Sequence, residues 1–326
     1  MNRVVVLGAS GFIGRRIMHA LGAQRNFRPV AVSRNAAARR WPDGVEAQNV
    51  DVSDAAALRA VIREAVAVVN CIAADPGLIL EASARVFEAA AAMSPRPRVV
   101  HLSSLAAYGS ATGLIQESCE LRGDLDGYSA AKAQSDRLAA QHDFVVTLRP
   151  GIVFGPESPW WSDRIARLLV AGRLGDLGDR GCGICNLVYV DDVAGAVVLA
   201  LRAQDLPQRA FNLSCSAGLT WNEYFSRYAA ALSAAPLRKI SPRRLRMETA
   251  VLSPPLKLLE LALRAPAWAR WNPFPPIRPW LAEVCARNIQ MDVSRAESLL
   301  GMQWTPLERG LALTASWFRA GGRTAI

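Results

Sequence analysis

The chain has 326 residues, of which 51% are apolar and 20% are charged, and its formal net charge at pH 7 is +10. This composition excludes an intrinsically disordered chain, a collagen-like repeat and a small disulfide scaffold, and the length allows about two domains. Three of the 38 basic residues are lysines, so arginine carries almost all of the positive charge. The charge permits anionic partners such as nucleotides, acidic lipids or nucleic acid, without choosing among them.

Apolar strand-like runs alternate with alanine-rich helical stretches through the first two thirds of the chain. Strands are predicted, in order, at Val4–Leu7, Pro29–Ser33, Val66–Cys71, Arg98–Leu102, Phe144–Leu148 and Leu187–Val190. Helices are predicted at Gly14–Leu21, Ala55–Ala65, Leu78–Met93, Tyr128–His142 and Asp192–Leu201. The alternation predicts a parallel sheet with helices on both faces. The predicted fold class is therefore α/β, a Rossmann-type doubly wound parallel sheet.

The pattern becomes irregular after Pro150, and from about Leu213 it is helical and then rich in proline. This change predicts a second, smaller and mostly helical C-terminal domain. The predicted division assigns residues 1–155 and 186–215 to the Rossmann domain, and residues 156–185 and 216–326 to the second domain.

Six cysteines are spread along the chain, and Met1 leads directly into the first predicted strand. We therefore predict no signal peptide, a reducing cytoplasmic location and free thiols. Cys182 and Cys185 form a lone Cys-x-x-Cys pair without a second pair or a nearby histidine to complete a zinc site. We interpret the pair as part of a glycine-rich loop and predict no metal site, with a metal or redox role as the alternative.

A glycine-rich turn connects the first predicted strand to the first predicted helix. Gly8, Gly11 and Gly14 are spaced Gly-x-x-Gly-x-x-Gly, with Ser10, Phe12 and Ile13 between them. Glycines in this context allow a tight turn, close approach of a pyrophosphate and close packing of helix on strand. The helix N-terminus then faces the phosphate charge. The turn predicts a dinucleotide-binding site.

The second predicted strand ends in Ser33-Arg34, where NAD enzymes usually carry an acidic residue for the ribose 2′-hydroxyl. Arg34 can instead pair with the 2′-phosphate of NADP through a charge-assisted hydrogen bond. We therefore predict a preference for NADP(H), with NAD(H) as the alternative if Arg34 is only a solvated loop residue.

A candidate acid–base pair is formed by Tyr128 and Lys132, four residues apart and hence on one face of a predicted helix. An ammonium close to the phenol favours the phenolate and lowers the phenol pKa, so the pair can exchange a proton with an alcohol or carbonyl oxygen. Ser103 and Ser104 follow the predicted strand Arg98–Leu102, at the ligand edge of the sheet. One of these hydroxyls can donate a hydrogen bond to a substrate oxygen.

Taken together, these motifs resemble the extended short-chain dehydrogenase/reductases, the NAD-dependent epimerase/dehydratase group, over about residues 3–215. The matching motifs occur in family order at Gly8–Gly14, Asp51-Val52, Asn70–Ala73, Ser103-Ser104, Tyr108-Gly109, Tyr128 with Lys132, Leu148–Pro150 and Tyr189–Val193. The tail Met291–Gly301, with Trp304 and Pro306, is similar to the closing helical region of the family.

The resemblance implies roles for these residues. Tyr128 would exchange the proton while a hydride moves to or from the nicotinamide, Lys132 would bind the nicotinamide ribose, and Ser104 rather than Ser103 would polarise the substrate oxygen. The remaining cofactor contacts would be Asp51 and Val52 at the adenine, Ile72, Ala73 and Ala74 along the cofactor, and Pro150, Gly151 and Val153 at the carboxamide. Asp191 and Asp192 would buttress the fold, and the family commonly forms homodimers.

Departures from the family pattern narrow the chemistry. Leu105 and Ala106 stand where 4,6-dehydratases carry Asp-Glu, and Ile152 replaces the asparagine usual in sugar-nucleotide epimerases. The run Leu148–Pro156 is more similar to hydroxysteroid dehydrogenases and dihydroflavonol reductases. We therefore expect reduction of a ketone or oxidation of a secondary alcohol. A nucleotide-sugar epimerase or 4-ketoreductase is the first alternative, and a non-catalytic cofactor-sensing protein is the second.

The second domain is rich in aromatic side chains, which predict a bulky hydrophobic small-molecule substrate. They are Trp160, Trp161, Trp221, Trp268, Trp271, Phe274 and Trp280. Each could equally be ordinary core.

A basic cluster precedes a proline-interrupted apolar stretch in the same domain. The cluster is Arg238, Lys239, Arg243, Arg244 and Arg246, and the apolar residues are Leu256, Leu258, Leu259, Leu261, Leu263 and Trp268. We favour a solvated face here over peripheral contact with an anionic membrane. We predict no nucleic-acid partner, because no recognition motif is present.

Overall fold

The computed structural model describes residues 1–215, 218–252, 277 and 279–322, and divides the chain into two compact units. The first unit comprises Met1–Gly151, Val188–Ser214 and Met291–Trp304. The second unit comprises Ile152–Leu187, Cys215–Gln290 and Thr305–Ile326. Both units are therefore built from segments that are separated in the sequence.

Seven parallel strands form the sheet of the first unit. Its strands are β1 (Asn2–Leu7), β2 (Phe27–Ser33), β3 (Glu46–Asn49), β4 (Ala67–Asn70), β5 (Arg98–Leu102), β7 (Val145–Pro150) and β10 (Ala210–Leu213). Their spatial order is β3-β2-β1-β4-β5-β7-β10. The order reverses between β1 and β4, which is the switch point at which this fold class binds dinucleotides. The Rossmann-type doubly wound fold predicted from the sequence is confirmed.

Four further short strands lie outside this sheet: β6 (Gly113–Ile115), β8 (Ile152–Phe154), β9 (Leu187–Tyr189) and β11 (Ile289–Met291). The helices of the first unit are α1 (Phe12–Gly22), α2 (Ala55–Ile62), α3 (Pro76–Ala91), α4 (Gly127–Ala139), α6 (Val190–Arg202) and α10 (Ser294–Leu300). Those of the second unit are α5 (Arg164–Val170), α7 (Trp221–Ala231), α8 (Pro242–Arg246), α9 (Pro279–Cys285) and α11 (Leu307–Arg319). A π-helical turn, Met247–Leu252, directly continues α8.

The core of the first unit forms because its central strands are buried on both faces. Val4, Val5, Val6 and Leu7 of β1 are completely buried, although they alternate between the two faces of the sheet. Continuous apolar sequence is what a strand covered by helices on both sides requires. This burial fixes the carboxyl end of β1, and with it the glycine turn that follows.

Two strands and one terminal segment differ from the sequence prediction. β3 is polar and partly exposed at the sheet edge, and β10 is only four residues long, so neither shows an apolar run. Met291–Trp304 belongs to the first unit, not to the second domain as predicted. There the Asp292 amide donates to Ile115 O at 2.9 Å, and Arg295 lies 3.5 Å from the Glu117 carboxylate.

The second unit contains a cluster of tryptophans. Trp161 contacts both Trp221 and Trp280 with ring centroids 5.5 Å apart, and Trp160 contacts Trp280 at 6.2 Å. Trp221 is 1% exposed and belongs to the core, whereas Trp160 is 41% exposed. The predicted aromatic region therefore exists here, while Trp268, Trp271 and Phe274 lie outside the described residues.

The cysteines in the described residues are free thiols: Cys185 and Cys285 are buried, and Cys182 is exposed. Within the same residues, no helix combines the length and the apolar character that crossing a membrane requires.

Candidate functional site

The glycine turn is packed so tightly that side chains are excluded from two of its positions. Gly8 has φ +80°, and a Cβ there would lie 2.9 Å from Cys71 O at the end of β4. A Cβ on Gly14 would lie 2.3 Å from Gly8 O. Gly8 thus allows the turn to pass close to β4, and Gly14 allows α1 to start directly against the turn.

The start of α1 presents backbone N–H groups without competition from a side chain. Gly11 is the N-cap residue, makes no side-chain capping bond, and is followed by a first turn without acidic residues. The positive end of the helix dipole and its free amide donors therefore suit a pyrophosphate. Ser10, Phe12 and Ile13 are each partly exposed around this cradle, so the residues present fit a dinucleotide.

Arg34 and Asp51 lie near each other at the carboxyl ends of β2 and β3. Asp51 accepts hydrogen bonds from the amide and hydroxyl of Ser53 at 2.9 and 2.8 Å, which lower the pKa of its carboxyl group, with Arg34 contributing further. Arg34 is exposed, Ser33 is partly exposed, and Val52 packs against the core of the first unit. A cationic and an anionic group thus border the expected adenosine position.

The end of β4 contributes the neighbouring stretch Ile72, Ala73 and Ala74. The Ile72 amide donates to Asn70 Oδ1 at 3.3 Å, and Ala73 and Ala74 are exposed. Because a Cβ on Gly8 would nearly touch Cys71 and Ile72, this stretch lies directly beside the glycine turn. The structure therefore brings these sequence-predicted positions together at the switch point.

Tyr128 and Lys132 lie on one face of α4, as predicted from their spacing. α4 begins with a capping box, in which the Asp126 side chain accepts from the Ser129 amide and the Ser129 hydroxyl accepts from the Asp126 amide. This cap fixes Tyr128 in the first turn. Lys132 Nζ lies 5.9 Å from the centre of the Tyr128 ring and donates to Leu102 O, at the end of β5, at 2.7 Å.

Tyr128 is 38% exposed and thus more exposed than Ser104 or Lys132. Desolvation by the surrounding protein raises its pKa, a hydrogen bond with Ser104 opposes that shift, and Asp126 adds to it. The direction differs from the lowering that the Tyr-Lys spacing predicts. The reason is that desolvation and the Asp126 carboxylate outweigh the hydrogen bond with Ser104, so the phenol is protonated at neutral pH.

Lys132 is 4% exposed, and this burial lowers the pKa of its ammonium to about 8. The Asp136 carboxylate and the Cys71 thiol act in the opposite direction. Burial therefore disfavours the charged form of the amine, and a charged group bound next to it would shift its pKa.

A chain of hydrogen-bonded, buried polar side chains ends at the backbone oxygen of Lys132, and the sequence did not predict it. Asn70 Nδ2 lies 3.3 Å from His101 Nδ1, and His101 Nε2 lies 3.3 Å from Ser135 Oγ. Ser135 Oγ in turn donates to Lys132 O at 3.1 Å. The available signal was a polar residue inside each of two strands that are otherwise apolar, Asn70 in β4 and His101 in β5.

The two serines after β5 differ in their surroundings. Ser104 caps a short helical turn by accepting from the Ala106 amide at 3.1 Å, and it contacts Tyr128. Ser103 is 4% exposed, and its buried Oγ has no hydrogen-bond partner among the described residues. The geometry therefore groups Ser104, not Ser103, with Tyr128 and Lys132.

The last predicted cofactor positions follow β7. Pro150 is buried at the end of β7, and the Gly151 amide donates to Leu213 O of β10 at 2.9 Å. Val153 is buried in β8, which belongs to the second unit. Asp191, assigned to buttress the fold, lies 3.8 Å from Arg16 of α1 within the first unit.

Comparison with known proteins agrees with this geometry. The NAD dependent epimerase/dehydratase family matches residues 4–214, and the chain belongs to that family. The matched range includes the glycine turn, Ser104, Tyr128 and Lys132. The predicted relationship to extended short-chain dehydrogenase/reductases is confirmed.

Two curated relatives carry the names of reductases. The chain is 32% identical over 228 residues to a 3-diazoavenalumate denitrifying reductase from Streptomyces sp, which covers 62% of this chain and 73% of that protein. It is 24% identical to a ceramide reductase from Caulobacter vibrioides, covering 98% of this chain and 95% of that one.

A solved structure with a similar fold illustrates the relationship. The NAD complex of UDP-glucuronic acid 4-epimerase from Bacillus cereus is 16% identical, has a TM-score of 0.73, and covers 98% of this chain and 100% of that one. At this identity the likeness concerns the fold alone.

Proposed function

We propose that the chain is an NADPH-preferring oxidoreductase that reduces a ketone, or oxidises the corresponding secondary alcohol, on a bulky hydrophobic substrate. The observation that carries the proposal is the grouping of Tyr128 with Ser104 and Lys132 at the ligand edge of the sheet, with the phenol protonated at neutral pH. A protonated phenol is a general acid, which is what carbonyl reduction requires.

In this proposal a bound nicotinamide dinucleotide supplies the hydride, and the side chains of the chain manage the substrate oxygen. Ser104 donates a hydrogen bond to the carbonyl oxygen and polarises it. Tyr128 gives its proton to the same oxygen as negative charge develops there, so that an alcohol is released and a phenolate remains. The ammonium of Lys132 stabilises that phenolate.

Selection of NADPH over NADH rests on Arg34. Its exposed guanidinium is the cationic group at the end of β2 and can form a paired hydrogen bond with a 2′-phosphate. The neighbouring Asp51 is kept ionised by two hydrogen bonds from Ser53 and opposes that phosphate, so the Arg34 guanidinium has to outweigh this repulsion. We expect Arg34→Asp to weaken NADPH binding more than NADH binding, and equal losses would contradict the assignment.

The hydrophobic character of the substrate rests on three observations. In the second unit, Trp160 and Trp161 both contact Trp280. The position where epimerases of this family place an asparagine is Ile152. Finally, the relative that spans the whole chain is named a ceramide reductase, which favours a long-chain lipid carbonyl over a sugar nucleotide.

The test is a panel of carbonyl compounds, from small ketones to a long-chain keto lipid in detergent, with absorbance of the reduced nicotinamide as readout. We expect turnover with NADPH on the hydrophobic members. Tyr128→Phe should lose on the order of 10²–10⁴-fold in kcat while retaining cofactor affinity. Ser104→Ala should lose activity, with Ser103→Ala as the matched control.

Two outcomes would contradict the proposal. One is the absence of carbonyl reduction with both cofactors together with epimerisation of a UDP- or dTDP-sugar in the presence of tightly bound NAD. The other is an active Tyr128→Phe variant, which would exclude Tyr128 as the proton donor.

A further inference from the structure

The segment 238–252 of the second unit combines exposed cations with exposed apolar side chains, and we propose that it docks the protein on an anionic lipid bilayer. We call this segment the basic-apolar face. The reaction proposed above is not needed for this inference, because membrane contact is measured without cofactor or substrate.

The first step is the shape of the segment. Ser241 Oγ accepts from the Arg244 amide at 3.2 Å and caps α8, which runs on into the turn Met247–Leu252. Leu245 and Glu248 are 3% and 4% exposed and point into the unit. Residues 242–252 therefore form one continuous helical stretch with an inward and an outward face.

The second step is the composition of the outward face. Arg243 and Arg246 are exposed, and Met247, Val251 and Leu252 follow them with 50%, 63% and 38% exposure. Large apolar side chains exposed within one short turn carry a free-energy cost in water that insertion between lipid headgroups removes. Cations next to them suit the negative surface potential of anionic lipids.

The third step is the charge around the face. Arg238 and Lys239 extend the exposed cations towards the start of the segment. Within the described residues, these two side chains and those of Arg243 and Arg246 form no ion pair. The segment has one carboxylate, Glu248, which is buried and lies 2.5 Å from Arg173 Nη2. In the part of the chain that the structure describes, the positive charge of the outward face is therefore not neutralised by an ion pair.

The fourth step is the anchoring of the face to the unit. The Ile240 amide donates to Asp176 O, and the Asp176 amide donates to Arg238 O, at 2.7 and 3.1 Å. Arg244 donates to Gly172 O at 3.0 Å. Together with the Arg173–Glu248 pair, these bonds hold the inward side, so the outward side chains are presented from a fixed platform.

The basic cluster had two interpretations, a solvated face and contact with an anionic membrane, and the exposed apolar side chains favour the second. A solvated face explains the arginines and the lysine, but it does not explain why the turn that follows exposes methionine, valine and leucine. The apolar residues predicted to accompany the cluster, Leu256 to Leu263 and Trp268, lie outside the described residues and are not part of the face proposed here.

The test is cosedimentation of the full chain with phosphatidylglycerol–phosphatidylcholine vesicles and with pure phosphatidylcholine vesicles. We expect binding to the anionic vesicles only, weakening as salt is raised. Arg243→Gln with Arg246→Gln should lower the partition coefficient about 25-fold, or roughly five-fold per arginine. The matched control is Arg59→Gln with Arg63→Gln, a pair of exposed arginines of which the first lies on α2 and the second directly follows it.

A second pair of variants tests the apolar contribution. Val251→Ser should weaken vesicle binding, whereas Val66→Ser, at a valine that is 49% exposed on the first unit, should not. Activity on a water-soluble carbonyl should be unchanged in all four variants, which separates this proposal from the proposed reaction.

Three results would overturn the proposal: no binding to the anionic vesicles, equal losses from the two double-arginine variants, or a dimer that forms through Val251 in the absence of lipid. Binding of a duplex DNA oligonucleotide that depends on Arg243 and Arg246, without vesicle binding, would assign the face to nucleic acid instead.

Discussion

Acidification should destabilise the folded chain through one buried side chain, His101. The orientation of Asn70 is fixed because its Oδ1 accepts from the Ile72 amide, so its Nδ2 donates to His101 Nδ1. His101 Nε2 then carries the proton and donates to Ser135 Oγ. A second proton on the ring would place Nδ1–H against the Asn70 amide donor, so the ring must remain neutral.

The magnitude follows from the pKa. Desolvation, with a smaller contribution from Lys132, lowers the pKa of His101 to about 3, whereas the unfolded chain has about 6.5. Between these two pKa values the unfolded state binds one more proton than the folded state. The contribution of neutral His101 to the free energy of unfolding is therefore fully present above about pH 6.5 and is lost as the pH falls. At pH 5 the loss is about 2 kcal/mol, from about 1.5 pH units at about 1.4 kcal/mol each.

The assay is urea denaturation at neutral pH and at pH about 5, comparing the wild type with His101→Gln. Glutamine retains a donor and an acceptor but does not titrate. The wild type should lose about 2 kcal/mol more than the variant on acidification, and His19→Gln, at an exposed histidine of α1, should behave like the wild type. Equal losses in wild type and His101→Gln would refute the reasoning.

Three further perturbations have expected outcomes. Gly14→Ala places a Cβ 2.3 Å from a backbone oxygen of the turn, so it should cost about 1–3 kcal/mol in thermal unfolding and weaken binding of a reduced nicotinamide dinucleotide measured by fluorescence titration. Gly195→Ala, where a Cβ meets nothing within 4 Å, should do neither. Asp136→Asn breaks a buried pair with Arg149, with N–O distances of 2.8 and 3.0 Å, and should cost about 3–5 kcal/mol in urea denaturation; a loss no larger than that of a surface substitution would contradict this. Lys132→Met removes an ammonium whose folded pKa is depressed, so between pH 8 and 10 the wild type should gain about 2 kcal/mol relative to the variant; parallel pH curves would contradict this.

The sequence was most informative where one physical requirement dictates the residue type. Gly8 and Gly14 had to be glycine because a Cβ would strike backbone, and β1 had to be apolar because helices cover both faces. The fold and the glycine turn could therefore be predicted from residue patterns alone.

Prediction failed where the determining interactions are long-range. β3 is a polar edge strand formed by pairing with β2, and no local pattern signals it. The direction of the Tyr128 pKa shift depends on how much protein surrounds the phenol, which spacing along a helix does not reveal. The same holds for the Asn70–His101–Ser135 chain, whose members are far apart in the sequence.

The first unit is assembled from segments that are far apart in the sequence, and this affects how it can fold during translation. Glu117 is buried, and its cationic partner Arg295 is translated 178 residues later, together with the rest of Met291–Trp304. Until that segment leaves the exit tunnel, the Glu117 carboxylate of the nascent Rossmann unit lacks its ion-pair partner Arg295. Completion of the nucleotide-binding half of the molecule therefore waits for almost the whole message to be read, although its first strand is made at once.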